Sequence, residues 1–285
     1  MKPSLVKDRI EAASINLTVG ERKVAATILA DYPYAGLLSI KDLACQSEVS
    51  APSISRFMTK IGLAGYQEFQ RRLVLEVKEG DRSPVEVHSG GRNVEGSYLG
   101  DFLERASAQM SVARNAITDD QFDRICSMLS EPKRRIFILG GRISDTIAAH
   151  LSFHLRQARG GVYHLPLNAE IWPEYLLHMK HGDIFFVMDF RRYQPALTEL
   201  AQKASSVRGA RVIVMTDKWI SPAARHASDI LPVPIESGTL WDTYSPALAV
   251  IEAIVTKIAE DNWDQTRDRI ESWDRLRFND KDLIY

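Results

Sequence analysis

Three clusters of residues in this 285-residue chain have the types and spacing to do chemistry. The first is Ser50, Pro52, Ser53, Ser55, Arg56 and Lys60. If this stretch is helical, Ile54, Phe57, Met58 and Ile61 share one face, and Ser53, Arg56 and Lys60 recur at i, i+3 and i+7 on the other. Small hydroxyls at a helix N-terminus allow close approach, the helix dipole there favours an anion, and a guanidinium can meet a phosphate or a guanine edge. The second cluster is Gly140-Gly141-Arg142-Ile143-Ser144, directly after an apolar run. Glycines let backbone N–H groups close on a phosphate and Ser144 would sit at a helix start, although such glycines also make plain tight turns. The third is Asp189-Phe190-Arg191-Arg192-Tyr193-Gln194, also after an apolar run. Its two guanidiniums can fork onto phosphate or carboxylate, and Asp189 can pair with an arginine or accept ligand hydroxyls. A purely structural ion network is the competing reading.

Other reactive residues have bland readings. His150 and His154 stand at i, i+4, a spacing that can hold a metal, but no third ligand lies near them in sequence. Cys45 and Cys126 share no metal-ligand spacing and are expected as buried, reduced thiols. No cofactor and no metal are expected.

The elements that must position these residues follow from periodicity. Residues 1–78 read as short helices. Thr18 with Glu21 forms a capping box before a helix burying Val24, Ile28 and Leu29. Ser39 precedes Leu43-Ala44, Ser47-Glu48-Val49 makes a turn, and Ser50 precedes the helix already described, with Gly62 ending it. A last helix buries Phe69, Leu73 and Val77. The glycine-rich stretch 79–97 reads as a linker. From residue 135, continuous apolar runs at 136–139, 162–167, 184–188, 211–215 and 230–234 alternate with helical segments. Runs buried on both faces and separated by helices predict an open parallel-sheet α/β domain over 98–262. A polar helical tail over 263–285 follows, in which Trp263 and Trp273 are expected to dock on the domain or on a partner subunit. The expected architecture is therefore α + α/β, with an all-helical N-terminal domain.

Composition sharpens the division. Hydrophobic residues are 45% and charged residues 26%, which excludes a mainly disordered chain. The net charge of -1 excludes a uniformly basic coat, yet residues 50–78 set Arg56, Lys60, Arg71, Arg72 and Lys78 against only Glu68 and Glu76, a net +3. Residues 1–49 are neutral and the remainder is acidic. The first residues carry charges at Lys2, Lys7, Asp8, Arg9 and Glu11, unlike a signal peptide, and no apolar run approaches the roughly 18 residues that span a membrane. A cytoplasmic protein without membrane contact is expected.

Two ordered sets of motifs carry a family resemblance. Leu17-Thr18-x-x-Glu21-Arg22-x-Val24-Ala25, Ser39-Ile40-x-Asp42-Leu43-Ala44, Val49-Ser50-x-x-Ser53-Ile54-Ser55-Arg56-Phe57 and Ile61-Gly62-Leu63-x-Gly65-Tyr66-x-Glu68-Phe69 resemble the helix-turn-helix domain of the MurR/RpiR family of bacterial transcriptional regulators, over about 3–78. Gly140 and Ser144, Gly209-Ala210-x-Val212-Ile213-x-x-Thr216-Asp217, Ser221-Pro222-x-Ala224 and Ala227-x-Asp229 resemble the sugar-isomerase (SIS) domain that follows it in that family, over about 120–260. The resemblance implies double-stranded DNA as a partner, read by Ser50, Pro52, Ser53, Ser55, Arg56 and Lys60, with the helix start at Tyr66 clamping a phosphate. It implies a sugar-related effector at the strand ends, with Gly140 and Ser144 in the family's first loop and Glu236 placed where isomerases of this fold keep a proton-moving carboxylate; Arg142, Asp189, Arg191 and Arg192 join the candidate ligand set by their own chemistry. Trp241, Asp242 and Tyr244 lie in the same stretch as Glu236.

The sequence departs from that pattern twice. Arg142 replaces a glycine of the first loop, and none of the phosphate-binding hydroxyls of a Ser-x-Ser-Gly-x-Thr loop survives at 189–194. The expected effector is therefore a small anion, a sugar phosphate or a sugar acid. The expected assembly is a homodimer or homotetramer, since two half-sites require two recognition helices. The alternative is a sugar-phosphate isomerase or lyase with an accessory helical domain, and a third reading is a helical adaptor on a ligand-free scaffold.

Overall fold

The computed structural model describes residues 5–277, apart from 31, 34, 36–37, 81–84, 86–93 and 95. The chain divides into two compact units, Met1–Arg82 and Ser83–Tyr285.

The first unit contains α1 (Val6–Ala13), α2 (Val19–Ala30), α3 (Ile40–Gln46), α4 (Ala51–Lys60) and α5 (Tyr66–Gly80). The α2 start is a reciprocal cap: the Thr18 N–H donates to Glu21 Oε2 at 2.7 Å and the Glu21 N–H to Thr18 Oγ1 at 3.4 Å. Ser39 Oγ accepts the Asp42 N–H and so caps α3. The turn to α4 places Glu48 at φ +53°, and the Val49 N–H returns to the Ala44 carbonyl. Val6, Val24, Ile28, Leu43, Ile54, Phe57, Met58, Phe69 and Leu73 are fully buried and form the core. Leu29 is exposed, against expectation, because Val24 and Ile28 at i, i+4 occupy the inward stripe and Leu29 lies a further 100° round the helix. On α5 the inward position beside Val77 is taken by Glu76. Its carboxylate accepts the Val6 N–H at 2.8 Å and the Tyr32 hydroxyl, and burial holds its pKa above the usual range.

The proposed linker 79–97 lies largely outside the described residues. The second unit then runs through α6 (Tyr98–Ala116), α7 (Asp119–Ser130), β1 (Ile136–Gly140), α8 (Asp145–Ala158), β2 (Val162–His164), α9 (Trp172–His178), β3 (Ile184–Met188), α10 (Pro195–Ser206), β4 (Arg211–Thr216), β5 (Asp229–Pro232), α11 (Ser245–Asp261) and α12 (Trp263–Arg277). The strands form one all-parallel sheet in the order β2-β1-β3-β4-β5. The β1 and β3 strands are buried along their whole length. Their side chains alternate between two cores. Ile136, Ile138, Ile184, Phe186, Ile213 and Met215 meet α7, α8 and α11, while Phe137, Leu139, Phe185, Val187, Val212 and Val214 meet α9 and α10. Helices on both faces of a parallel sheet give the doubly covered architecture that the continuous apolar runs imply. The β2 strand is shorter than its apolar run, because Pro166 lacks the N–H needed to extend the ladder. The tail helix packs on the domain: the Arg269 guanidinium donates to the Arg156 carbonyl at 3.0 and 2.8 Å, while Trp263 and Trp273 remain about half exposed.

Gly140 is fixed by space. A Cβ built there would lie 2.4 Å from Asp145 N and 2.5 Å from Ser144 C, both backbone atoms that cannot step aside. Gly140→Ala is expected to lower stability by about 1–3 kcal/mol through overpacking, read as a lowered urea midpoint with native circular dichroism at zero denaturant.

Candidate functional site

Along the sheet, the chain steps from β1 outward to β2 and then returns to the other side of β1 as β3. The loops leaving the carboxyl ends of β1 and β3 therefore run apart, and open α/β sheets hold ligands in such a crevice. A cleft of about 500 Å³ lies there. It is walled by 141–144 after β1, by Asp189–Arg192 and Gln194 after β3, and by Trp241, Asp242 and Tyr244 before α11.

The β1 loop is closed by its own groups. Ser144 Oγ accepts the Gly141 N–H at 2.8 Å and donates to the Met188 carbonyl at 2.7 Å, tying the ends of β1 and β3 together. Asp145 in the first turn of α8 accepts the Gly140 N–H at 3.0 Å and lies 2.9 Å from His164 Nε2. Ser144 is thus buried and bonded rather than a free hydroxyl, and Gly140 supplies clearance rather than cleft surface. Arg142 points a different way: it is exposed, lines the cleft and has no ion-pair partner among the described residues.

The β3 loop separates its two arginines. Arg191 forks onto Asp242, with Nε 2.6 Å from Oδ2 and Nη2 bonded to Oδ1, and its guanidinium lies 5.7 Å from the Trp219 ring centre. Arg192 adopts φ +64°, a conformation uncommon for a residue with a Cβ, and is exposed at the cleft without an ion-pair partner among the described residues. Behind them sit two buried carboxyls. Asp217 accepts the Arg191 N–H at 2.5 Å, the Tyr193 hydroxyl at 2.6 Å and the Trp219 N–H at 3.0 Å. Asp189 accepts the Ser221 hydroxyl at 2.5 Å and a long 3.4 Å contact from the Gln194 N–H. Burial pushes Asp189 up to about 7 and Asp217 up to about 6, each against the pull of its hydrogen bonds.

Glu236 does not line the cleft; its carboxylate pairs with Lys218. The cleft residues outside the expected ligand set are Gly141, Ile143, Phe190 and Gln194, which belong to the two loops singled out in the sequence, and Trp241, Asp242 and Tyr244, with Asp217 and Ser221 behind them. The signal for Asp242 and Tyr244 is topological. The β5 strand is an edge, whereas α11 packs beside α8 over β1, so the intervening chain must cross the carboxyl ends of the strands. Elsewhere on the domain, the His150 and His154 rings lie 4.5 Å apart, and no group of three metal-binding side chains occurs among the described residues.

In the first unit, Ser50, Pro52, Ser55 and Arg56 are exposed at or near the start of α4, with Ser53 half-buried beside them. Ser50 Oγ and Ser53 Oγ are 3.0 Å apart, and Arg56 Nη2 donates to Ser53 Oγ at 3.3 Å, so three of the expected contact residues form one polar cluster. Lys60 is spent differently: its ammonium bonds Glu21 Oε2 and the Asn16 carbonyl, each at 2.6 Å. Tyr66 donates its hydroxyl to the Leu38 carbonyl at 3.0 Å, and Glu68 takes the Ala64 N–H at the start of α5.

Comparison with known proteins agrees with this geometry. Residues 5–80 match the helix-turn-helix domain of the rpiR family and residues 128–257 match the SIS domain. Two curated relatives are each named HTH-type transcriptional regulator HexR. That of Pseudomonas aeruginosa is 25% identical over 262 residues, covering 88% of this chain and 88% of the relative. That of Escherichia coli is 26% identical over 257 residues, covering 87% and 86%. The solved structure of Vibrio vulnificus NanR complexed with ManNAc-6P shares the fold over 95% of this chain and 97% of that one, with 16% identity and a TM-score of 0.54. The chain belongs to the RpiR family of transcriptional regulators, in which the helix-turn-helix domain precedes a SIS domain. Among the described residues no helix is long and apolar enough to cross a membrane.

The buried carboxyls make stability depend on pH. Asp189 and Asp217 titrate higher in the folded chain than in the unfolded one, so the folded state holds more protons and stability falls as pH rises from about 4 through about 7. The urea midpoint of the wild type should therefore decline between pH 5 and 7.5. Asp189→Asn should flatten the upper part of that decline, and parallel curves for the two proteins would remove Asp189 from the account.

Proposed function

We propose that α4 reads operator DNA and that the cleft at the β1–β3 switch point holds a small sugar-derived anion whose binding changes DNA affinity. The observation that carries the effector reading is the pairing pattern of three arginines. Arg191 is neutralised by Asp242, while Arg142 and Arg192 line the same cleft without a carboxylate partner among the described residues. Two unpaired guanidiniums facing one cavity favour a phosphate or a carboxylate. The solved relative complexed with a sugar phosphate supports the sugar part of the reading. Ser144 contributes by holding the two strand ends together, and Asp189 and Arg191 by forming the wall behind the anion.

DNA reading rests on the exposed Ser50, Pro52, Ser55 and Arg56 and the half-buried Ser53 at the start of α4, in the segment of net +3. Lys60 contributes charge close to the DNA while it braces α2 through Glu21. A homodimer or homotetramer presents two such helices to two half-sites. The protein acts as a sensor rather than an enzyme. The isomerase reading is less well supported, because Glu236, its candidate proton carrier, is paired with Lys218 outside the cleft lining.

One set of variants tests both halves. In gel shifts on the DNA upstream of the gene, Arg56→Ala should weaken the specific complex while changing stability by no more than about 0.5 kcal/mol, as for an exposed site. The double variant Arg142→Ala with Arg192→Ala should keep DNA binding and lose its response to sugar phosphates and sugar acids. Unchanged affinity in the first variant, or an intact response in the second, contradicts the corresponding assignment.

A further inference from the structure

Asp189 differs from every other carboxylate at the strand ends. Asp145, Asp217 and Asp242 each receive two or more well-placed donors or a guanidinium fork. Asp189 is 1% exposed, forms no ion pair among the described residues, and has a single close donor, Ser221 Oγ on Oδ2. Its other oxygen, Oδ1, has only the 3.4 Å contact from Gln194. An ionised carboxylate offers about four acceptor positions, and leaving them empty in a buried site is costly. The residue nevertheless lines the cleft. The turns around it are held in unusual conformations, Arg192 at φ +64° and the β-branched Ile220 at φ +60°. Strain of this kind persists where the surrounding structure fixes a functional arrangement.

We propose that Asp189 is the specificity-determining residue of the cleft, its Oδ1 accepting a hydrogen bond from a hydroxyl or ammonium group of the effector whose anionic group is held by Arg142 and Arg192. The inference rests on the anion reading above and adds a second requirement to it: a bare anion fills only half the site. The effector class is thus an anion that also carries a donor, such as a hydroxylated or aminated sugar phosphate. A donor on Asp189 favours its charged form, so binding expels the proton that burial retains there. The other ionisable groups facing it are Arg142 after β1, Asp217 after β4, Arg191, Arg192 and Tyr193 in its own turn, and Asp242 and Tyr244 before α11. Tyr244 is pushed up to about 12, Asp242 is held by the Arg191 fork, and Asp217 is already served by three donors. Asp189 is therefore the group whose proton the effector moves between pH 6 and 8.

The test is calorimetric titration of the full chain with inorganic phosphate, glucose 6-phosphate and glucosamine 6-phosphate, at pH 6 and 8, in wild type and Asp189→Asn. For the wild type, at least one sugar phosphate should bind at least tenfold more tightly than inorganic phosphate. Asp189→Asn should erase that preference while leaving inorganic phosphate within about twofold, consistent with the loss of one hydrogen bond to a charged group. The wild-type advantage over the variant should grow about tenfold from pH 6 to 8. If the donor is an ammonium, glucosamine 6-phosphate loses most in the variant; if it is a hydroxyl, the two sugars lose alike. Sugar phosphates and inorganic phosphate binding alike, or a variant with the same preference and pH profile as wild type, overturns the assignment of Asp189 and leaves the anion reading standing. Failure of all three anions to bind wild type overturns both. Because Asn keeps the shape of a neutral Asp, the variant should fold, and the wild-type pH profile stands independently of it.

Discussion

The reversal of strand order between β2 and β3 is the constraint from which the cleft follows. Because β1 is flanked by β2 on one side and β3 on the other, the connections leaving β1 and β3 depart over opposite faces of the sheet. Among the described residues, the cleft at the carboxyl ends of these two strands is walled by their own turns and by the chain that crosses from β5 to α11. Ser144, bonded to both Gly141 and Met188, closes the bottom of this gap, and Gly140 leaves room for the α8 backbone beneath it. Each polar residue in the cleft is placed by that geometry.

Within this frame the charges sort themselves by partner. Hydroxyl-rich loops bind phosphate through many weak donors, whereas here the β3 loop brings one carboxyl and two guanidiniums. Arg191 is withdrawn from ligand chemistry by its fork onto Asp242 and instead fastens the chain that crosses from β5. The strained backbone at Arg192 turns the next guanidinium outward. Asp217 uses three donors to hold the same loop from behind. The outcome is a wall with a charged rim, in which Arg142, Arg192 and Asp189 are charged groups that keep unused hydrogen-bonding capacity.

The fold was largely legible in the sequence. Apolar runs such as Ile184–Met188 are buried on both faces and appear as the parallel strands they imply, and Thr18 with Glu21 forms the expected cap. The places where the reading stopped are physical. Glu76 is buried because the cost is offset by the Val6 N–H and the Tyr32 hydroxyl, partners distant in sequence, while Leu29 falls outside the inward stripe of α2 and Cys45, expected to be buried, is exposed on α3. Asp242 could not be paired with Arg191 from spacing alone, since 51 residues separate them and only the strand order brings them together. Glu236 precedes the crossing and Asp242 and Tyr244 complete it, a distinction that needs the position of α11. Arg191 and Arg192 are adjacent and chemically identical, and only backbone geometry separates a structural arginine from one facing the cleft.

The proposed regulation works only if the cleft and α4 are thermodynamically linked. Linkage is reciprocal: if an effector changes DNA affinity by some factor, DNA changes effector affinity by the same factor. The most direct measurement is the dissociation constant of a sugar-phosphate effector for the full-length protein, alone and saturated with operator duplex, set beside the operator affinity with and without that effector. The account predicts equal factors in the two directions, both collapsing to one when Arg142 and Arg192 are replaced by alanine. An effector affinity that is indifferent to bound DNA would contradict it.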